Sequence, residues 1–325
     1  MDDKMERKLQ RKYFSGIGWT LLVYNLLLTA CVTLVMMFQM VLISMDKLNG
    51  IAYTDQQVNQ MLMNNGWGYL LSILIGALLL LMWQGKRFFT ETLWVTGKPM
   101  KVGRFFALTA VFLGAQLVYS LMTQLLTMLL MPMGLSVGEV AGSANISTEN
   151  FSMFLYVCIA APITEEILFR GLVLRKLMPY GKGFAIIMSA LAFGLFHGDL
   201  LQIPYAFMVG IIMGFVAVEY NILWAMVLHM INNLVLVDTI PRLISLLPDQ
   251  VGTSIFGGII LFCGIAAVVI LMLKREKISY YFGEHAAEWS HIFSFLTAPG
   301  MIVLMILMAV NALSGVVTAT LQQMG

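Results

Sequence analysis

The chain has 325 residues, of which 60% are hydrophobic and 11% charged, with 19 Lys and Arg against 17 Asp and Glu. A soluble globular chain carries about 25% charge, so a mean hydropathy of +0.87 excludes an ordinary soluble protein. It predicts an all-α, polytopic transmembrane bundle. The net charge of +2 gives no ground for a nucleic-acid partner.

Residues 1–14 are polar and basic, with Lys4, Arg7, Lys8, Arg11 and Lys12. The apolar run from Ile17 to Met45 is too long for a signal-peptide core and has no small-residue cleavage site after it, so it is expected to be a first span. A second is predicted at Trp67–Gln84 and a third at Phe105–Met131. Between them Lys86, Arg87, Lys98, Lys101 and Arg104 crowd one connection. The loop from Pro132 to Asn150 has no Lys or Arg. Further spans are expected from Phe151, then at Phe184–His197, Leu201–Val218, Leu223–Val237, Ser254–Leu273 and Ala298–Leu321. That makes eight or nine in all.

Basic and base-poor loops alternate, which puts the N-terminus in the cytoplasm by the positive-inside rule. The chain is thus expected to be integral to the membrane, in the plasma membrane if bacterial. It divides into N-terminal helices (1–150), a core carrying the polar motifs (151–240) and C-terminal helices (241–325). Cys31, Cys158 and Cys263 lie in apolar runs without a CxxC and read as packing residues. The 26 methionines read the same way. The stretch from Ile278 to Phe295 mixes aromatic and charged residues and predicts one interfacial helix, with His285 and His291 at the surface. Gly210 and Gly214 form a small-xxx-small face for close helix packing.

Within the fourth span, Ala161–Gly171 carries Glu165, Glu166 and Arg170. One charge at mid-bilayer costs about 2.5–3.5 kcal/mol on insertion scales, so three together need partners, water or a function. Glu166 and Arg170 are four apart with the acid first, the favourable order for a helical ion pair. Glu165 is turned about 100° away, which leaves it free for chemistry. Pro162, one turn earlier, is expected to kink the helix and open a water pocket.

His197 closes the fifth span, while His229 and Asn233 share a face of the seventh. At about 1.5 Å per helical residue, all four groups fall in the cytoplasmic-to-middle part of a roughly 30 Å hydrocarbon layer. A carboxylate, two imidazoles and an amide suit hydrolysis by activated water. Glu165 would take the proton with His197, and His229 with Asn233 would donate to the oxyanion.

The motifs Glu165-Glu166-x-x-x-Arg170, Phe193-x-x-x-His197 and His229-x-x-x-Asn233 resemble the three signatures of the CPBP family. These are intramembrane glutamic endopeptidases that include CAAX prenyl and bacteriocin-processing enzymes. The resemblance covers Phe151–Val237. It implies catalytic Glu165, His197, His229 and Asn233, with supporting Glu166 and Arg170, and a cavity open to the cytoplasm. It also implies a membrane-associated peptide substrate, prenylated or a peptide precursor, and no metal. Asn232, three residues from His229, competes with Asn233 for that face.

Two alternatives stay open on sequence. One is a metal-dependent protease with Glu165, Glu166, His197 and His229 as zinc ligands, although the chain has no HExxH. The other is a non-catalytic transporter or immunity-type protein, although no inverted halves are visible. Lesser motifs weigh less. Gly134-Leu-Ser-Val-Gly138 has the GxSxG form without a preceding strand. Asp199 and Asp238 do not form an intramembrane aspartate pair; Asp199 is expected to orient His197 or to begin the next helix. Asn145-Ile-Ser147 is a glycosylation sequon that matters only in a secretory pathway.

Overall fold

The computed structural model describes the backbone of residues 3–133, 148–286 and 288–324, and side chains over 5–133, 148–286 and 288–314. Every regular element among them is helical. In chain order these are α1 (Asp3–Leu48), α2 (Asp55–Met63), α3 (Trp67–Gln84), α4 (Val102–Leu130) and α5 (151–177). They continue with α6 (Lys182–Phe196), α7 (Gln202–Glu219), α8 (Ile222–Ile244), α9 (Asp249–Glu284), α10 (Trp289–Leu296) and α11 (Pro299–Met324). The Gly134–Gly138 motif and the Asn145 sequon lie outside the described residues.

Among the described residues, six helical stretches are long and apolar enough to cross a membrane, or seven if α10 and α11, bent by 63°, form one span. This is fewer than the eight or nine expected, and the chain remains a multi-pass helical bundle. The physical reason lies in α5 and α6. α5 carries five charged residues, Glu165, Glu166, Arg170, Arg175 and Lys176, and is widened twice by π-type turns, at Tyr156–Ala160 and Ile167–Leu174. α6 has 15 residues, a rise of about 22 Å against a layer of roughly 30 Å.

The packing surrounds this irregular centre. One apolar core runs from Phe14 of α1 through α5, α6, α7 and α8 to Met308 of α11. α6 and α7 approach closely because Gly210 faces Ala190 and Gly214 faces Ile186. A Cβ on either glycine would sit 3.1 to 3.2 Å from those neighbours, so the small-xxx-small face works as expected. The outer helices instead turn large apolar side chains outward, among them Leu34, Met128 and Phe262, as lipid contact requires. All three cysteines are free thiols, with Cys31 and Cys158 buried.

The expected single interfacial helix over 278–295 is corrected. Ile278–Glu284 continues α9, and a separate, strongly amphipathic α10 begins at Trp289. Trp289 and Phe293 are exposed on it, while Phe295 is fully buried. His291 is no simple surface group, since its ring packs edge-on against Tyr180 at 5.2 Å and Phe184 at 5.9 Å.

Candidate active site

The widened turns of α5 explain how the site is built. In the first of them the Ala161 N–H bonds Tyr156 O instead of reaching Val157 O, four residues back. A π-type partner for Val157 O would be the N–H of residue 162, which is Pro162 and has none. The Val157 carbonyl is thus released from the helix, and Asn233 Nδ2 of α8 donates to it at 2.8 Å. Proline here does more than bend the helix: it leaves an acceptor that ties α8 to α5 beside the glutamates.

Glu165 and Glu166 follow within the same turn and meet different surroundings. Glu166 is fully buried, and its Oε1 accepts from Arg170 Nη1 at 3.0 Å, as the four-residue spacing predicts. The same oxygen lies 3.0 Å from His229 Nδ1. Among the described residues, Glu166 Oε2 and Arg170 Nε have no hydrogen-bond partner. Arg170, also fully buried, donates through Nη2 to Gly210 O at 3.2 Å and lies 4.4 Å over the Phe193 ring. The guanidinium therefore fastens α5 to both α6 and α7.

Glu165 has a side chain 25% exposed, and its Oε2 stands 3.8 Å from His229 Nε2. One imidazole thus spans the two carboxylates, close to Glu166 and looser to Glu165. His197 joins through Phe193. Its ring meets the Phe193 ring edge-on at 4.8 Å, and Phe193 meets the His229 ring at 5.8 Å. His197 Nδ1 lies 2.9 Å from Phe193 O. A carbonyl can only accept, so Nδ1 carries the proton and Nε2 of the neutral ring keeps its lone pair. Gly198, at φ +57°, turns the chain out of α6 directly after His197, a conformation that suits glycine.

Asn233 is placed by more than its own helix. Tyr205 of α7 donates to Asn232 Oδ1 at 3.0 Å, and Asn232 Nδ2 donates to Asn233 Oδ1 at 3.1 Å. With Val157 O at the far end, this directed chain fixes which way the Asn233 amide points and leaves one of its N–H bonds to spare. Asn232 therefore does not compete with Asn233; it orients it. Sequence reasoning missed Tyr205 and the Val157 carbonyl. Only the proline five residues after Val157 hinted at the latter.

The lesser acidic residues take structural places. Asp199 Oδ1 accepts the N–H groups of Leu201 and Gln202 at 3.0 and 2.8 Å, so it begins α7. Asp238 is bound by Thr148 and Arg242, far along α8 from His229. Among the described residues no group of three or more His, Cys, Asp or Glu side chains is arranged to hold a metal ion.

Residues 147–235 match the family described as type II CAAX prenyl endopeptidase Rce1-like. The match covers the part of the chain that carries the polar motifs. It contains Glu165, Glu166, Arg170, His197, His229 and Asn233, and it supports the CPBP/CAAX protease resemblance carried by the three motifs. The match supports a CAAX-type intramembrane endopeptidase in general. No curated protein and no solved structure matches the chain.

Proposed function

We propose that the protein is an intramembrane endopeptidase that hydrolyses a peptide bond with water activated by Glu165 and His197. The observation that carries this reading is the pairing of a partly exposed carboxylate, Glu165, with the His229 ring at 3.8 Å, beside a second carboxylate that is fully buried and neutralised by Arg170. Two adjacent acids in such different surroundings suit different tasks. Glu166 holds structure; Glu165 is left to move a proton.

The attacking water gives a proton to Glu165, with the unprotonated Nε2 of His197 as the second acceptor, and its oxygen bonds the scissile carbonyl carbon. The oxyanion that forms accepts from the spare Asn233 N–H and from His229. The C–N bond then breaks, and the proton held by Glu165 passes to the leaving amine. The substrate is a membrane-associated peptide, and the family name points to a prenylated C-terminus. The active side opens to the cytoplasm, with the N-terminus on that side. No metal takes part in this scheme.

The test uses an internally quenched peptide ending in a farnesylated cysteine followed by Val-Ile-Met, with the purified protein in detergent. Cleavage is expected to resist chelators and to vanish in Glu165→Gln, while the variant elutes and melts as the parent does. Full cleavage by Glu165→Gln would remove the assignment of the base. Loss of cleavage on chelation, restored by zinc, would favour the metal-dependent alternative.

A further inference from the structure

Outside the matched segment, α1 carries a tyrosine that the scheme above does not use. Tyr24 is 6% exposed, and its hydroxyl has no hydrogen-bond partner among the described residues. Buried polar groups are almost always bonded to protein or to water, so a phenol left this way signals a ligand. The ring is also held in place. It lies against Gly76 of α3, where an added Cβ would fall 2.5 Å from Tyr24 Cε2 and 2.8 Å from its oxygen. Any larger residue at 76 would displace it.

The same tyrosine lines a cavity of about 30 Å³ together with Tyr156, Thr164, Glu165, Leu168 and Phe196. A water molecule needs about 10–15 Å³ of such space and two to four polar partners. One or two waters therefore fit. The polar partners on offer are the Glu165 carboxylate and the Tyr24 and Tyr156 hydroxyls, and of the two phenols it is Tyr24 whose oxygen is buried without a hydrogen-bond partner among the described residues. Thr164 already donates its proton to Ala160 O at 2.7 Å.

We infer that Tyr24 is a further catalytic residue, whose hydroxyl donates to the water that Glu165 deprotonates; this rests on the proposed function. The water accepts the Tyr24 O–H and donates one of its own protons to the Glu165 carboxylate. Its remaining lone pair is thereby aimed at the carbonyl carbon. Tyr24 keeps its proton throughout; the water's proton moves to Glu165 as the C–O bond forms, and on to the amine as the C–N bond breaks. The hydroxyl is the donor to this water, and it fixes the direction of attack, which the acceptors Glu165 and His197 do not.

Tyr24→Phe removes the oxygen and keeps the ring. On the quenched farnesylated peptide, kcat should fall about 100-fold, the low end for losing one donor at the reacting atoms. KM should stay within about twofold, since the loss lies in the transition state. The melting temperature should hold or rise, because the oxygen has no protein partner to lose. A fall in melting temperature together with kcat would assign the hydroxyl to packing and overturn the inference. An unchanged kcat in Tyr24→Phe with an inactive Glu165→Gln would overturn it while sparing the proposed function. Activity in both variants would remove both. A measurement independent of substrate is an experimental structure that resolves waters. Water density within hydrogen-bond reach of both Tyr24 and Glu165 is expected. A dry cavity, or a Tyr24 hydroxyl bonded to protein, would overturn the assignment.

Discussion

Glu166 Oε1 is shared by Arg170 Nη1 and His229 Nδ1, each at 3.0 Å. The ion pair expected from spacing alone is therefore one half of a three-residue unit that joins α5 to α8. A carboxylate neutralised by Arg170 can only accept from the imidazole, so His229 carries its proton on Nδ1. Its Nε2, facing Glu165, then donates a hydrogen bond only when the ring is an imidazolium.

Arg170→Ala should lower both stability and activity. Removing one partner from a buried pair strands the other charge, at a cost of about 3–5 kcal/mol, and His229 alone does not replace the guanidinium. Arg170→Lys should rescue only in part. A single ammonium does not reproduce the planar fork that reaches Glu166 and Gly210 while stacking on Phe193. Thermal melting in detergent measures this, and an unchanged midpoint in Arg170→Ala would remove the buried pair from the account.

His197→Gln and His229→Gln should each lower kcat by about 100-fold, the low end for losing a proton-transfer group or an oxyanion donor. Full activity in either variant would remove that ring from the scheme.

Much of this centre was legible in the sequence because charge inside an apolar run has few explanations. The spacing of Glu166 and Arg170 identified their contact, and the shared depth of Glu165, His197, His229 and Asn233 identified the helices that meet. The π-type turns were not legible. Helical periodicity assumes 3.6 residues per turn, so a stretch that widens at Tyr156–Ala160 looks like any other apolar run. The count of eight or nine spans is not matched among the described residues for a related reason: α5 and α6 read as apolar segments, whereas their irregular turns and short length set them apart from the long outer helices. Tyr24 and Tyr205 were invisible because an aromatic in an apolar helix reads as packing, and only the position of the hydroxyl distinguishes it.

Tyr205→Phe breaks the directed chain at its first donor. Asn232 Oδ1 loses its partner, and the Asn232 amide is free to turn over, which would set two amide oxygens facing each other at Asn233. The expected result is a fall of roughly tenfold in kcat, a fraction of the loss for an oxyanion-hole donor itself, with little change in KM. Asn233→Ala should cost about 100-fold or more. If Tyr205→Phe costs nothing while Asn233→Ala is severe, then the Val157 carbonyl alone suffices to orient the amide.

Pro162→Ala tests whether the released carbonyl matters. Alanine restores an N–H at position 162, which can bond Val157 O and compete with Asn233 Nδ2 for it. Alanine also suits a helix interior better than proline by up to about 3 kcal/mol. The melting temperature should therefore rise or hold while kcat falls by about tenfold, a stability gain at the expense of activity. The Asn233→Ala background decides the cause: with the amide already gone, Pro162→Ala should have no further effect on kcat, because the two changes act on one hydrogen bond. Additive losses would mean that the proline acts by shaping the helix around Glu165, and not through the Val157 carbonyl.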